Sequence, residues 1–328
     1  MIHNEKKHIM RKYMLLLLVV FALMGLSAQN MPTLRKGDTI AIAAPSGKVE
    51  PSQVLPAVQY FQSQGFNVIV PEDLYENYSG FAGTLSQRIA QMQALLDRPG
   101  IKAIVCARGG YGAVSLLDSL DFTKFRKHPK WICGFSDITA FHSHLHTLGY
   151  PTLHSVMTIN IWEENMGNEY HKSLINALRG KTLNYDFEPH PANHSGTAKG
   201  ILVGGNLSLL YSMLESVSSI NTDGKILFIE DVGENIYHIE RMLVALDRAG
   251  KLKNLKGLIV GSMNKIKIDD YYFDSTIEDV ILGVCGKYNY PICFDFPAGH
   301  DGKNVALRLG RMASLVVSTD QCQLTINN

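Results

Sequence analysis

Short apolar segments alternate with amphipathic ones through the first half of the chain, and this alternation constrains the fold more than any other feature. Apolar, β-branched runs predict strands at 39–43, 67–70 and 102–107. Hydrophobic residues at three- and four-residue steps predict helices at 54–64 and 86–96. Since repeated units of this kind connect parallel strands, we predict an α/β domain with helices on both faces of a parallel sheet. Ligands of such sheets bind beyond the carboxyl ends of the strands, so residues that follow a strand are candidates for function.

The second half has a less regular order and more strands. Apolar runs predict strands at 199–205, 225–229, 258–261 and 292–294, and a closing hairpin at 314–317 and 323–326. A helix is predicted at 236–249, and the half as a whole is predicted to be mixed α+β. The intervening stretch is polar and irregular. We therefore predict an N-terminal domain at 29–160, a linker at 161–196 and a C-terminal domain at 197–328.

The N-terminus has the features of an export signal. Four basic residues lie between positions 6 and 12, an apolar run covers 14–26, and the small pair Ser27–Ala28 follows. The run is short for a membrane span, and no cysteine follows it to carry a lipid. We predict a signal peptide at 1–28, cleaved before Gln29, with no stable membrane anchor. An uncleaved signal anchor is the alternative.

Charge and cysteine content exclude several classes of protein. The 328 residues include 31 Lys and Arg and 30 Asp and Glu, for a net charge of +1. No basic patch indicates nucleic acid, so a small or zwitterionic partner is expected. The five cysteines are an odd number without metal-type spacing, which favours buried thiols over a disulfide framework; one bridge is left open.

Ser136 lies where a strand turns sharply into a helix. Residues 131–133 are the end of an apolar strand, and apolar residues from Ile138 onward recur with helical spacing. A serine at such a turn projects its Oγ above the sheet edge, and the amide of Asp137 has no intrahelical partner. This arrangement predicts a nucleophile with one oxyanion donor. The alternative is that Ser136 is only a helix N-cap.

A glycine-rich loop, Arg108–Gly112, also follows a predicted strand. It lacks the Lys-Ser/Thr ending of a phosphate-binding loop and the glycine spacing of a dinucleotide site. We predict that an amide of Gly109 or Gly110 faces Ser136 and completes an oxyanion hole. A tight turn without further function is the alternative.

Two more strand ends carry ionisable residues. Glu230 is predicted just past a strand, where it can orient an imidazole, whereas Glu234 and Asp231 are candidates for stabilising the next helix. His300 lies in a glycine-rich loop, and its pKa suits a general base near neutrality. Most loop histidines are solvated bystanders. The order Ser136, Glu230, His300 nevertheless matches a nucleophile, an orienting acid and a base.

A run of three histidines suggests a metal site at first. On a helix His142 and His146 share a face, but His144 does not, and no carboxylate accompanies them in a zinc-peptidase pattern. A polar helix face is favoured. We predict neither a metal nor another cofactor.

Five motifs in order resemble the LD-carboxypeptidases, serine peptidase family S66. The resemblance runs from about Leu34 to the C-terminus. Its motifs are Ala107–Gly112, Gly134–Asp137, Gly204–Ser208, Phe228–Asp231 and Pro297–His300. The family implies an N-terminal flavodoxin-like domain, a C-terminal domain with a β-barrel-like core, and an active site between them. It also implies a catalytic triad of Ser136, Glu230 and His300.

The resemblance implies a reaction and a partner. The family releases the terminal D-alanine of a murein tetrapeptide through an acyl-enzyme, with Asp137 and Gly109 or Gly110 supplying the oxyanion donors. Arg108 and Asn206 are candidates to bind the peptide. With the signal, this implies a periplasmic enzyme, and a homodimer is compatible with the resemblance.

Three other functions are weighed against this one. A silent binder of wall peptides would be expected to have a broken triad. The sister branch of the family hydrolyses peptide-nucleotide antibiotics, which act inside the cell, and the signal argues against that substrate. An esterase of the α/β-hydrolase type would need glycine where Ile138 stands.

Overall fold

The computed structural model describes residues 30–268 and 275–328. The predicted signal peptide at 1–28 lies outside the described residues. Within those residues, no helix combines the length and the apolar character needed to cross a membrane.

The first sheet has the strand order of a flavodoxin-like domain. Its strands are β1 (Thr39–Ala43), β2 (Asn67–Ile69), β3 (Ile101–Cys106), β4 (Trp131–Gly134), β5 (Thr152–His154) and β11 (Leu307–Leu309). The order across the sheet is β11-β5-β4-β3-β1-β2. Strands β1 to β5 are parallel, whereas β11 pairs antiparallel with β5. The order 2-1-3-4-5 is the flavodoxin-like one, so the predicted α/β architecture is confirmed.

Helices cover both faces of this sheet because its strands are apolar on both sides. The helices are α1 (Pro51–Ser63), α2 (Leu85–Asp97), α3 (Val114–Leu117), α4 (Thr123–Lys127) and α5 (Thr139–Thr147). Ile40 of β1 packs in one hydrophobic cluster with Val54 of α1. The next residue, Ala41, faces the opposite way and packs in a second cluster with Met92 of α2. This alternation places each helix on one side of the parallel sheet.

The second sheet is mixed. Its strands are β6 (Leu183–Phe187), β7 (Gly196–Asn206), β8 (Ile226–Val232), β9 (Gly257–Asn264), β10 (Ile292–Cys293), β12 (Met312–Val317) and β13 (Cys322–Ile326). The order is β10-β9-β8-β7-β12-β13-β6, parallel from β10 to β7 and antiparallel beyond β7. His194, which follows β6, exchanges backbone hydrogen bonds of 2.9 and 3.1 Å with Ile292 of β10. This bridge connects the segment between β6 and β7 to β10, at the other end of the sheet from β6.

Three helices pack on the parallel part of the second sheet. They are α7 (Leu207–Ser212), α8 (Ile236–Arg248) and α9 (Ile277–Cys285). Ile239 and Leu243 of α8, four residues apart, lie with Leu227 and Ile229 of β8 in a third hydrophobic cluster. Helix α8 confirms the helix predicted at 236–249, and the antiparallel pairing of β12 with β13 confirms the predicted closing hairpin. The described residues also include four 3-10 turns: Glu72–Tyr75, Ser136–Ile138, Thr158–Asn160 and Glu163–Asn165.

The segment at 161–196 differs from the irregular linker predicted for it. It contains α6 (Glu169–Leu178) and the edge strand β6, which pairs with β13 from Leu183 to Phe187. The segment is polar because β6 has one exposed face, with residues that alternate between inward and outward positions. Residues 307–309 also depart from the predicted order, because the chain returns there to extend the first sheet. The domain boundaries stay predictions.

All five cysteines are buried and unpaired, as predicted from their apolar surroundings. Burial raises the pKa of the Cys285 thiol to about 12. The alternative of a disulfide bridge is thus wrong for this structure. Thiols in such surroundings remain protonated at neutral pH and act as small apolar side chains.

Candidate active site

Ser136 occupies a strained turn between β4 and α5. Its φ is +61°, in the left-handed region that few residues other than glycine adopt. Gly134 makes the turn possible, because a Cβ there would lie 2.9 Å from Cγ1 of Ile138. Helix α5 begins at Thr139 with Ile138 at the N-cap, so Ser136 does not cap it. The strand, sharp turn and helix predicted for a nucleophile are therefore present, and the N-cap alternative is wrong.

The glycine-rich loop lies directly against Ser136. A Cβ added to Gly109 would lie 3.0 Å from Cβ and 3.2 Å from Oγ of Ser136. Gly110 has a φ of +111°, which glycine adopts without strain. The amide of Gly47 donates to the Gly109 carbonyl at 3.0 Å and fixes the loop from the other side. Only glycine therefore allows this backbone to approach the serine.

The side chain of Asp137 ties two loops to the serine turn. Its Oδ2 accepts hydrogen bonds from Ser46 Oγ at 2.5 Å and from the Ala113 amide at 2.8 Å. Arg88, also buried, donates to one backbone carbonyl in each of the same loops, at 2.8 and 3.2 Å. Burial lowers the pKa of Arg88, and the Asp137 carboxylate opposes that shift. The backbone around Ser136 is thus held by charge-assisted hydrogen bonds.

The fully buried Glu230 and the partly buried His300 form a hydrogen-bonded pair. His300 Nδ1 lies 2.6 Å from Glu230 Oε2. Strand β8 runs to Val232, so Glu230 belongs to the strand rather than following it, and the pairing with β9 shifts register at this point. Such irregularities re-aim a side chain next to a site. Burial raises the pKa of Glu230, and the hydrogen bond from His300 opposes this. Burial lowers the pKa of His300, but the hydrogen bond and charge of Glu230 outweigh it, and the net shift is upward.

The backbone of His300 is anchored on both sides. Its amide donates to Ser262 Oγ at 2.7 Å, and its carbonyl accepts from Asn264 Nδ2 at 2.7 Å. Gly299 has a φ of +139°, and a Cβ there would lie 2.2 Å from Ser262 Oγ. The His300 ring packs on Phe135, with 4.7 Å between the ring centroids. This loop histidine is therefore held in place rather than free in solvent.

Ser136 and His300 line one cavity of about 600 Å³. Their side chains are not hydrogen bonded to each other in the described part of the chain. Catalytic hydrogen bonds are commonly long without substrate and tighten in the complex. Arg108, Gly109 and Gly110 line the same cavity, so the structure brings these predicted residues together.

Asn206 does not line this cavity, contrary to the role predicted for it. Its Oδ1 accepts from the Leu209 amide at 3.2 Å and caps α7, and its Nδ2 donates to Asp231 Oδ1 at 3.1 Å. Both polar ends are thus engaged within the fold. Asp231 also accepts from the Ser208 amide at 2.9 Å, so it stabilises the start of α7 and not of the following helix.

The alternative acid, Glu234, has another partner. Its Oε2 lies 2.6 Å from Nδ1 of His238, one helical turn away in α8. Glu234 therefore pairs with a histidine outside the cavity, and Glu230 is the acid that contacts His300.

The three histidines of α5 have separate environments. His142 Nε2 lies 2.9 Å from the Gly134 carbonyl, and burial lowers its pKa to about 4. His144 Nδ1 lies 2.8 Å from Ser218 Oγ. Across 30–268 and 275–328, no group of three or more His, Cys, Asp and Glu side chains could hold a metal ion.

Sequence reasoning missed one wall of the cavity, a further lining residue and a buried histidine behind that residue. The wall comes from segment 156–171, with Trp162, Asn168 and Tyr170 among its side chains. Asn304 lines the cavity four residues after His300, and His154 lies behind it at the end of β5. The position of His154 at a strand end is a signal that could have identified it.

Comparison with known proteins gives a consistent result. The family model of the LD-carboxypeptidase N-terminal domain matches residues 40–155, and that of the LD-carboxypeptidase C-terminal domain matches residues 199–315. A probable murein peptide carboxypeptidase of Bacillus subtilis is 32% identical over 290 residues, which cover 86% of this chain and 90% of that protein. The murein tetrapeptide carboxypeptidase of Pseudomonas aeruginosa is 27% identical, over 84% of this chain and 92% of its own length.

Solved structures show the same fold. The muramoyltetrapeptide carboxypeptidase from Oxalobacter formigenes superposes with a TM-score of 0.82 and 28% identity, covering 88% of this chain and 99% of that one. The structure of MccF in complex with glutamyl sulfamoyl guanosine gives a TM-score of 0.79 at 21% identity, over 91% and 98% of the two chains. At that identity the second likeness concerns the fold alone.

Proposed function

Because the chain belongs to the LD-carboxypeptidases, serine peptidase family S66, and is therefore a peptidase, we propose that it removes the terminal D-alanine from murein tetrapeptides. The names of two relatives, a murein peptide carboxypeptidase and a murein tetrapeptide carboxypeptidase, support this substrate. One observation carries the mechanism. The Glu230–His300 pair, 2.6 Å apart, adjoins the cavity that His300 shares with Ser136.

In this mechanism Ser136 is the nucleophile and His300 the base. With Nδ1–H donated to Glu230, Nε2 of His300 is free to accept the proton of the Ser136 hydroxyl. Oγ attacks the carbonyl carbon of the bond before D-alanine. His300 then returns the proton to the leaving amine, and the shortened peptide stays as an ester on Ser136. His300 next takes a proton from water, whose oxygen attacks the ester carbonyl carbon. When the bond to Oγ breaks, His300 returns this proton to Ser136, which releases the shortened peptide as an acid and restores the enzyme.

The tetrahedral intermediates need donors for a developing negative charge. We assign this role to the amide of Asp137, in the first turn after the serine, and to an amide of Gly109 or Gly110. The close contact of Gly109 with Ser136 supports the assignment. Arg108 is the candidate for binding the terminal carboxylate, because it is exposed and lines the cavity. Asn206 is not part of this proposal.

We also propose that the protein is exported to the periplasm. The basic residues before position 13, the apolar run at 14–26 and Ser27–Ala28 support a cleaved signal. Cell fractionation with sequencing of the mature N-terminus tests this. A cytoplasmic protein that retains residues 1–28 would contradict it.

The test of function is mass spectrometry of a purified murein tetrapeptide incubated with four proteins. Wild type is expected to remove one alanine, and Ser136→Ala to remove none. Glu230→Gln is expected to slow the reaction by roughly 10⁴-fold, whereas Glu234→Gln, whose glutamate pairs with a different histidine, is the matched control and is expected to retain activity.

Each of the other outcomes has a definite meaning. Equal loss of alanine with Ser136→Ala would refute the nucleophile. No loss with wild type would refute the substrate. Turnover of a peptidyl-nucleotide in its place would assign the antibiotic-hydrolysing alternative.

A further inference from the structure

Asn304 is a cavity-lining residue with a fixed orientation. Asn304 is 4% exposed and lies in the wall that contains Ser136 and His300. Its Oδ1 accepts from the Gly299 amide at 3.3 Å and lies 3.0 Å from Nε2 of His154. Because a backbone N–H can only donate, the atom facing Gly299 must be the carbonyl oxygen of the amide. His154 must therefore donate to the same oxygen.

His154 is suited to hold this amide. It is fully buried in β5, where it pairs with Gly134 two residues before Ser136. Burial keeps the pKa of His154 well below its usual value, so the ring is neutral and carries its proton on Nε2. Its ring packs between Phe135 and Phe228, with centroid distances of 5.8 and 4.9 Å. The donor to Asn304 is thus rigid, and it comes from the same strand pair as the nucleophile.

The other end of the Asn304 amide has no partner. Nδ2 is buried, and no atom within residues 30–268 and 275–328 accepts a hydrogen bond from it. Buried polar groups nearly always have a partner, so each exception requires an explanation. Here the oxygen end is engaged by two donors, and the unpaired donor belongs to a residue in the wall of the cavity. A ligand that brings an oxygen to this wall would supply the missing acceptor.

We propose that Asn304 is a substrate-binding residue whose Nδ2 donates a hydrogen bond to an oxygen of the murein peptide. The inference rests on the proposed function for the identity of the ligand. A carbonyl or carboxylate oxygen of the peptide is the matching chemistry, because Nδ2 is a donor only. His154 and Gly299 act as positioning residues. They hold the oxygen of the Asn304 amide, so the amide cannot turn that oxygen toward the substrate.

Asn304→Asp tests this at constant size. The aspartate keeps an acceptor for Gly299 and His154 but replaces the donor with an oxygen. In a Ser136→Ala background, which blocks turnover, calorimetry measures the affinity for an intact murein tetrapeptide. We expect Asn304→Asp to weaken binding by roughly ten- to a hundredfold, the effect of losing a hydrogen bond to a charged or buried group. Asn304→Ala, which adds no charge, is expected to weaken it in the same way and serves if the aspartate variant does not fold.

Asn193→Asp is the matched control. Asn193 likewise accepts a backbone amide, that of Phe294 at 2.9 Å, but does not line the cavity. Its affinity is expected to stay within about threefold of the background, below the effect of one such hydrogen bond. Equal affinities for the Asn304 and Asn193 variants would overturn the proposal.

A second measurement separates substrate binding from a general disturbance of the site. With Ser136 intact, a small fluorophosphonate without a peptide labels the serine directly. At alkaline pH, where the labelling rate no longer changes with pH, Asn304→Asp is expected to be labelled as fast as the wild type. Its KM for the tetrapeptide is expected to rise. Slowed labelling with unchanged KM would assign Asn304 to positioning His300 and overturn the proposal.

Turnover by the wild type distinguishes the two levels of inference. If the wild type removes alanine but the Asn304 variants bind normally, this inference alone fails. If the wild type removes no alanine while Ser136→Ala binds the peptide through Asn304, the proposed function alone fails. A tetrapeptide that Ser136→Ala does not bind and the wild type does not cleave would overturn both.

Discussion

Replacing Ser136 by glycine is expected to yield a more stable protein than replacing it by alanine, although either change removes the nucleophile. The φ of +61° costs a residue with a Cβ roughly 1–2 kcal/mol, because the Cβ crowds the following carbonyl. Glycine avoids this cost but loses about 0.5–1 kcal/mol through the larger entropy of its unfolded chain. At the midpoints of these two ranges the difference favours glycine by roughly 0.75 kcal/mol.

Alanine is the matched comparison because it retains the Cβ and lacks only Oγ. The Ser136 hydroxyl makes no hydrogen bond within the part of the chain that the structure describes, so its removal leaves no other group unpaired. The two variants therefore differ mainly in backbone strain.

Thermal and urea unfolding of the two variants measure the difference. A gain of this size corresponds to roughly 1 °C in the unfolding midpoint for a protein of this length. The m-values are expected to be equal, since the same surface is exposed on unfolding. An alanine variant as stable as the glycine variant, or more stable, would refute the argument that the serine turn stores strain.

Three further predictions concern the same scaffold. Gly109→Ala is expected to slow turnover roughly a hundredfold, because its Cβ would lie 3.0 Å from that of Ser136 and would displace the serine; unchanged kinetics would contradict this. The value of kcat/KM is expected to rise with pH through an apparent pKa above that of free histidine, since only neutral His300 accepts a proton. Glu230→Gln is expected to move this rise to lower pH, and a rise at an unchanged pH would count against the role of the Glu230–His300 pair. Lys130→Met is expected to destabilise the fold by about 2 kcal/mol, because the buried ammonium donates to three carbonyls at the end of α2. Burial lowers the pKa of Lys130 from 10.5 to about 8 in the folded protein. Between these two pH values Lys130 is protonated in the unfolded state but not in the folded state, so the stability of the wild type rises with pH over this range. Urea titrations at several pH values check that the methionine variant lacks this rise.

Local patterns predicted most of the elements because each strand and helix of the first half carries its own periodicity. The parallel sheet, its covering helices and the turn at Ser136 follow from segments of fewer than twenty residues. The segment 161–196 did not follow, because β6 is an edge strand that exposes every second residue and resembles a loop in composition. Its partner, β13, lies more than a hundred residues away, and only that pairing makes it a strand.

Some residues of the site could likewise be predicted from local patterns, and others could not. Ser136, Glu230 and His300 could each be predicted from a position at or near a strand end, since the carboxyl ends of parallel strands converge. Asn206 has such a position too, but its side chain turns to cap α7 and to meet Asp231. Whether a polar residue at a strand end serves a ligand or a helix depends on neighbours that no local pattern contains.

The contacts that join the two halves of the site are the least predictable and carry the most weight. The nucleophile comes from the first sheet, whereas Glu230 and His300 come from the second, so neither half holds the proposed triad. The hydrogen bond between His154 and Asn304 joins residues 150 positions apart and crosses from one half to the other. Strand β11, which follows the His300 loop, pairs with β5 directly beside His154 and so returns the chain to the sheet of the nucleophile. The separation between Ser136 and His300 is therefore set by long-range pairing, and changes at β5 or β11 are expected to alter turnover without touching either residue.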